Sequence, residues 1–252
     1  ISTLLILMAM VCFAFGTSTA LTNSAVANRT VDYTFNGNNE DDIKPLIKSD
    51  ELAPYVDSYY RMALHNFYPS EETVLNYHFA WTGLIETVSS QDDSEPKEIL
   101  LNNLSMQDTP YFIALSSYNA MLEAAEKKPI QLASNEVAMY TSDDTGASYD
   151  ILKDILKKSP TVEIAENEYT LLPKLYSNQI VADRAITLMY SLIVPDALFE
   201  QYFDADNTWL WNMTLKDEFI EEKGLMQAML EVDQVLNSTG VQYESYLASM
   251  GR

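Results

Sequence analysis

Cysteine is almost missing from this chain: Cys12 is the one thiol among 252 residues, so no disulfide can form within it. Val11 stands before Cys12, where a lipoprotein attachment site wants a small residue, which argues against a lipid anchor at that sulfur. A domain without thiols suits an extracellular face but does not demand one. Histidine is nearly as scarce. His65 and His78 both sit in aromatic, strand-like runs with no cysteine or carboxylate at ligand spacing, and read as satisfied or exposed side chains. Seven glycines are too few for loops that cradle phosphates, and no Gly-x-Gly-x-x-Gly, Gly-x-Ser-x-Gly, phosphate-binding Gly-Lys-Ser/Thr or Cys-x-x-Cys occurs.

Positive charge is short as well. Fifteen basic residues against 37 acidic ones leave a net charge of −22. Such a field repels nucleic acid and anionic headgroups and attracts cations or cationic peptides, although most of the acids read as solvated surface. Acids at Asp217, Glu218, Glu221 and Glu222 read as helix-start electrostatics. Asp204-Ala205-Asp206-Asn207-Thr208 resembles the opening of a calcium loop, but Trp209 stands where Gly is needed and no late Glu follows. The expectation is therefore a chain that is not an enzyme, with no catalytic residue, metal site or cofactor, and no nucleic-acid partner.

What is present begins with a run without charge. No charged residue precedes Arg29, and the opening Ile1 to Phe15 is strongly apolar. This matches the end of a membrane-spanning helix followed by a small polar stalk to Asn28. A clipped signal peptide with Ser18-Thr19-Ala20 as its cleavage site is the other reading. The chain as a whole has 47% hydrophobic and 11% aromatic residues, enough for a substantial core.

In chain order, Val31 to Phe35 reads as a short strand and Glu40 to about Lys48 as a short helix. Tyr55 to Tyr68 and Val74 to Val88 read as long aromatic strands, and Gln91 to Glu98 as an acidic loop. Tyr111 to Leu115 is a compact apolar strand; Ser116 and Ser117 are placed to cap a helix over Tyr118 to Lys127, and Glu136 to Thr141 is the return strand. Ala185 to Val194, a helix from Pro195-Asp196 to Phe203, and Thr208 to Thr214 repeat the strand–helix–strand order. Between them lie a helix over Ile151 to Lys158 and strand material from Thr161 to Leu172. Thr214-Leu215-Lys216-Asp217 has the form of a capping box, and Leu225, Met229, Val232 and Leu236 fall on one helical face before Asn237 to Gly240 breaks it. Tyr243, Tyr246 and Arg252 are residue types placed at a bilayer interface. Aromatic stretches such as Tyr55 to Tyr68 and Trp209 to Trp211 read as core rather than ligand platform.

Several of these stretches resemble the large extracellular domain of FtsX-like ABC transporter permeases of the bacitracin-export type. They are Leu115-Ser116-Ser117-Tyr118-Asn119-Ala120 with Pro129-Ile130-Gln131-Leu132 and Asn135-Glu136-Val137; Ile193-Val194-Pro195-Asp196; and Glu244 to Arg252, similar to the lead into the following membrane helix. The fold implied is α+β: a mixed sheet with strand–helix–strand units, flanked by N- and C-terminal membrane-proximal helices. Residues 1–28 would end a transmembrane helix and stalk, 29–214 form the extracellular domain, and 215–252 lead into the next span. The resemblance implies a permease in the cell membrane, its bulk extracellular. It would work with cytoplasmic ATPase subunits and often a sensor histidine kinase. Its ligands would be cationic peptide antibiotics or the cell-wall lipid intermediates they attack. A lipoprotein or cell-division role belongs to related permeases. From the residues alone, a secreted or surface-anchored binding module and an exported hydrolase also stay open.

Overall fold

The computed structural model describes residues 29–35, 40–66, 111–142, 147–158, 160–164, 167–182, 191–203 and 209–249. Along the chain these form β1 (Tyr33–Phe35), α1 (Glu40–Ile47), β2 (Val56–Asn66), β3 (Tyr111–Ala114), α2 (Leu115–Ala124), β4 (Glu136–Tyr140) and α3 (Ala147–Lys158). There follow β5 (Thr161–Ile164), β6 (Asn167–Leu171), β7 (Ser191–Val194), α4 (Asp196–Tyr202), β8 (Trp209–Leu215), α5 (Asp217–Lys223), α6 (Leu225–Thr239), β9 (Tyr243–Ser245) and α7 (Tyr246–Ser249). The expected Val74 to Val88 strand, the acidic loop, the calcium-like turn, His78 and residues 1–28 lie outside the described residues.

The expected α+β class holds: the nine strands make one mixed sheet in the order β5-β6-β4-β7-β3-β2-β8-β1-β9. Strand β2 joins its halves. Val56 to Ala63 pair antiparallel with β8, while Leu64 to Asn66 pair antiparallel with β3. Alternation sorts the side chains of each strand to two faces. On one face, Phe112, Val137, Met139, Leu192 and Val194 pack with α3 and α4, and Tyr33, Phe35, Trp211, Met213 and Leu215 pack with α1, α5 and α6. On the other, Tyr60, Met62, Ile113, Ala138, Tyr140 and Ile193 pack under α2 and the irregular segment 172–182.

An irregular segment inside a fold must find partners for its backbone. Here side chains supply them. Asn212 Nδ2 donates to Ile180 O (2.8 Å), Thr34 Oγ1 accepts Ala182 N–H (2.8 Å) and itself donates to Asn212 Oδ1 (2.8 Å), and Tyr140 OH donates to Asn178 O (2.7 Å). Residues 172–182 thus run as a strap from beside β4, where Thr141 N–H reaches Tyr176 O, to beneath β1 and β8.

Several local expectations give way to tertiary contacts. Ser116 and Ser117 do not cap α2, which starts at Leu115, three residues before the expected Tyr118, without a side-chain cap. Ser117 Oγ instead accepts Ala63 N–H (2.8 Å) where β2 changes neighbours, and Ser116 donates from both N and Oγ to Asp196 Oδ1 (3.1 and 2.8 Å). The capping box at Thr214 does not form either: Thr214 belongs to β8, its hydroxyl 2.6 Å from Ser58 Oγ, and α5 begins after Lys216 with no side-chain cap. The two strand–helix units lie side by side, β3 parallel to β7, but β4 returns beside β7 and β8 beside β2. Tyr246, expected at a bilayer interface, is 3% exposed within the core around β1 and α6.

Candidate functional site

The described chain enters through Arg29 to Asp32 and leaves through β9 and α7, and these two stretches are hydrogen-bonded neighbours. Strand β1 pairs antiparallel with β9, Tyr33 opposite Ser245, and Tyr246 N–H donates to Asp32 O (2.8 Å). Asp32 holds more than the exit. Its N–H donates to Met213 O (3.0 Å), its Oδ2 accepts Leu215 N–H (2.7 Å), and its Oδ1 lies 2.7 Å from Arg29 Nε. One fully buried carboxyl therefore ties together the entry segment, the end of β8 and, through its own backbone, the exit.

Burial pushes the Asp32 carboxyl up to about 6, against the pull of the Arg29 guanidinium and the Leu215 N–H; Asp217 adds a smaller upward push. Arg29 is only 6% exposed at its side chain, bridges to Asp217 Oδ1 through Nη2 (3.2 Å), and keeps Nη1 buried without a hydrogen-bond partner among the described residues. Asp217 opens α5, where a negative charge meets the helix N-terminus, so the helix start positions the second acid of this triad. Lys216 alongside is committed to the backbone: its Nζ donates to Pro54 O and its N–H to Tyr55 O, each at 2.9 Å.

Beside the triad opens a cleft of about 730 Å³ between the end of α2, the end of β8 and α5. Arg29, Lys127 and Lys216 face it, but so do Asp57, Glu126, Glu218 and Glu221. Glu126 has a left-handed backbone, φ 53°, in a helix end closed by Lys127 N–H to Leu122 O (2.7 Å), a place glycine usually takes. With Asp217 the lining carries five acids against three bases, so its net charge is negative. Among the described residues the lining holds no thiol, imidazole or paired nucleophile and base.

On the far side of β1, Tyr33 OH donates to Met229 O (3.0 Å) and Tyr243 OH to Asn237 Oδ1 (3.1 Å). Burial raises both tyrosines, Tyr243 to about 12, and raises Asp233 between them. These groups anchor α6 to the sheet.

The residues singled out in the sequence do not converge here. His65 lies in β2 opposite Phe112. Trp211 is buried, its ring 6.0 Å from that of Tyr59 and 5.5 Å from the Lys44 ammonium, so this side chain is core. Asp217 does more than the helix-start role expected of it, since it also holds Arg29. Sequence reasoning missed Arg29 and Asp32 as a pair. Their signal was there: they are the first two charges after a long stretch with none, spaced i,i+3. Among the described residues no three His, Cys, Asp or Glu form a group able to hold a metal ion, and no helix is long and apolar enough to cross a membrane. No protein-family model matches the chain, and the search of curated proteins likewise returns no match.

Proposed function

We propose that this chain is the extracellular recognition domain of an FtsX-like ABC transporter permease of the bacitracin-export type, serving export of, sensing of or resistance to peptide antibiotics that act on cell-wall lipid intermediates. The observation that carries the reading is the adjacency of entry and exit: Asp32 and Tyr246 share a hydrogen bond, so both ends of the folded body leave from one side. A domain inserted between two membrane spans needs this geometry. The stretch without charge before Arg29 and the −22 net charge agree with it, the first as a membrane approach and the second as a long-range attractor of cationic peptides. ATP hydrolysis then belongs to cytoplasmic partner subunits, and the cleft at Glu218 and Glu221 is where a cationic group would dwell.

The reading is tested in intact Gram-positive cells carrying the parent protein with Cys12→Ala and Lys128→Cys. A membrane-impermeant maleimide is expected to label Cys at 128 without permeabilisation, and an ATPase subunit is expected to co-purify. Labelling only after lysis, or purification without an ATPase, overturns the proposal. Glu218→Gln with Glu221→Gln should weaken binding of a cationic peptide about tenfold at low salt and hardly at all at high salt.

A further inference from the structure

Two large apolar side chains stand exposed among the described residues, and they are neighbours on one helix: Met226 at 65% and Leu230 at 43%, one turn apart on α6. The opposite face of α6, with Leu225, Met229, Val232 and Leu236, is buried against β1 and β8, so Met226 and Leu230 are not needed for its packing.

Two hydrogen bonds fix which end of the molecule they occupy. Tyr33 OH reaches Met229 O, and Tyr243 OH reaches Asn237 Oδ1, so α6 runs with its first turns level with Tyr33 and its last turns level with the start of β9. Tyr33 pairs with Ser245 at the point where the chain comes in from Arg29 and goes out through Tyr246. Met226 and Leu230 therefore lie level with the entry and exit end, on the helix that follows α5, whose first residue is bound to Arg29. In the sequence, twenty-eight residues without a charge precede Arg29.

We propose that this flank of α6 rests on the lipid bilayer, with Met226 and Leu230 dipping into the headgroup–acyl boundary of neutral lipid. The inference rests on the membrane-tethered reading above. Tethering is what makes two side chains sufficient, because the surface is held at high effective concentration. Asp217, Glu218, Glu221 and Glu222 on adjoining α5 select neutral over anionic headgroups by repulsion. The contact would hold the cleft at a set height and angle above the membrane.

The experiment uses the full chain in phosphatidylcholine nanodiscs with single spin labels: one on native Cys12, and others on Met226→Cys, Leu230→Cys and Gln234→Cys in a Cys12→Ala background. All three substituted α6 positions are exposed, so the core is untouched. Labels at 226 and 230 are expected to collide with an aqueous nickel chelate about fivefold less than the label at 234, and more with oxygen, as at a lipid boundary. If Cys12 is shielded by lipid while 226 and 230 are as wet as 234, the contact is refuted and the tethered reading stands. Low collision with both reagents at 226 and 230 means protein covers the flank and also refutes it. A wet Cys12 overturns the tether and the contact together.

Discussion

At Arg29 and Asp32 two opposite charges are buried together, and the sign of their pH dependence follows from which effect dominates. Asp32 in the fold holds its proton up to about pH 6, against an ordinary value of 3.8. Its contribution to stability is present below pH 3.8 and is lost as pH rises through 6, because above that an ionised carboxylate must be kept out of water. Asp32→Asn removes this titration, so the stability difference between variant and wild type should move in the variant's favour by about 2 kcal/mol from pH 4 to pH 7, read from urea midpoints. Arg29→Met does the opposite. It leaves Asp32 buried without its counter-ion and should cost about 3–5 kcal/mol at pH 7, much of it regained at pH 5 where the carboxyl is neutral. A cost equal at both pH values would mean that Arg29 acts by packing alone. Residue types in the sequence showed a chain poor in conventional chemistry, but the partnership of these two was not legible. It depends on β8 and α5, about 180 residues later, closing over them.

Elements were the most readable scale. Leu225, Met229, Val232 and Leu236 fall on one face by spacing alone, and all four are buried. Helix ends were read less well, because serines and threonines near a helix start are also free to bond elsewhere. The Ser116-Ser117-Tyr118-Asn119 stretch illustrates this. Ser116 meets Asp196, Ser117 meets β2, Tyr118 OH meets Asn178 Oδ1 (3.1 Å), and Asn119 holds Ile130 through both its backbone groups (2.9 Å each). Four neighbouring side chains thus serve four different parts of the fold, and none caps its own helix. Glycine at the corners of α6 is a matter of backbone conformation. Gly240 is left-handed at φ 72°, ψ 7°, whereas Gly224, between α5 and α6, lies at φ 80°, ψ 144°, a region almost closed to other residues. Among the described residues neither has a neighbouring atom within 4 Å of where a Cβ would sit, so substitution there tests the backbone. Gly240→Ala should cost about 1 kcal/mol and Gly224→Ala about 2–3 kcal/mol in chemical denaturation. Equal losses would refute the ordering.

Across the whole molecule, the sheet's halves are joined by β2 within the sheet and by the 172–182 strap across one face. Asn212 is the buried hinge of the strap, bonded at once to Thr34 and Ile180. Asn212→Leu should destabilise by about 1–3 kcal/mol, since it leaves the Ile180 carbonyl without that donor. Amide exchange should accelerate at Ala182, whose N–H is bonded to Thr34, and at residues on β1 together. Acceleration confined to the strap would show that it does not brace the sheet.

Composition and spacing on their own determined an acidic chain with strands within Tyr55 to Tyr68, Tyr111 to Leu115 and Thr208 to Thr214, found at Val56–Asn66, Tyr111–Ala114 and Trp209–Leu215, and an amphipathic last long helix, because periodicity and side-chain type act over a few residues. Only the tertiary structure decided the strand order, the interleaving of the two strand–helix units, the bridge from the buried Arg29–Asp32 pair to the exposed Asp217 and the meeting of entry and exit at Tyr33 and Ser245. Each of these is a contact between groups far apart in the chain, and such contacts are set by the closure of the whole sheet rather than by any local preference.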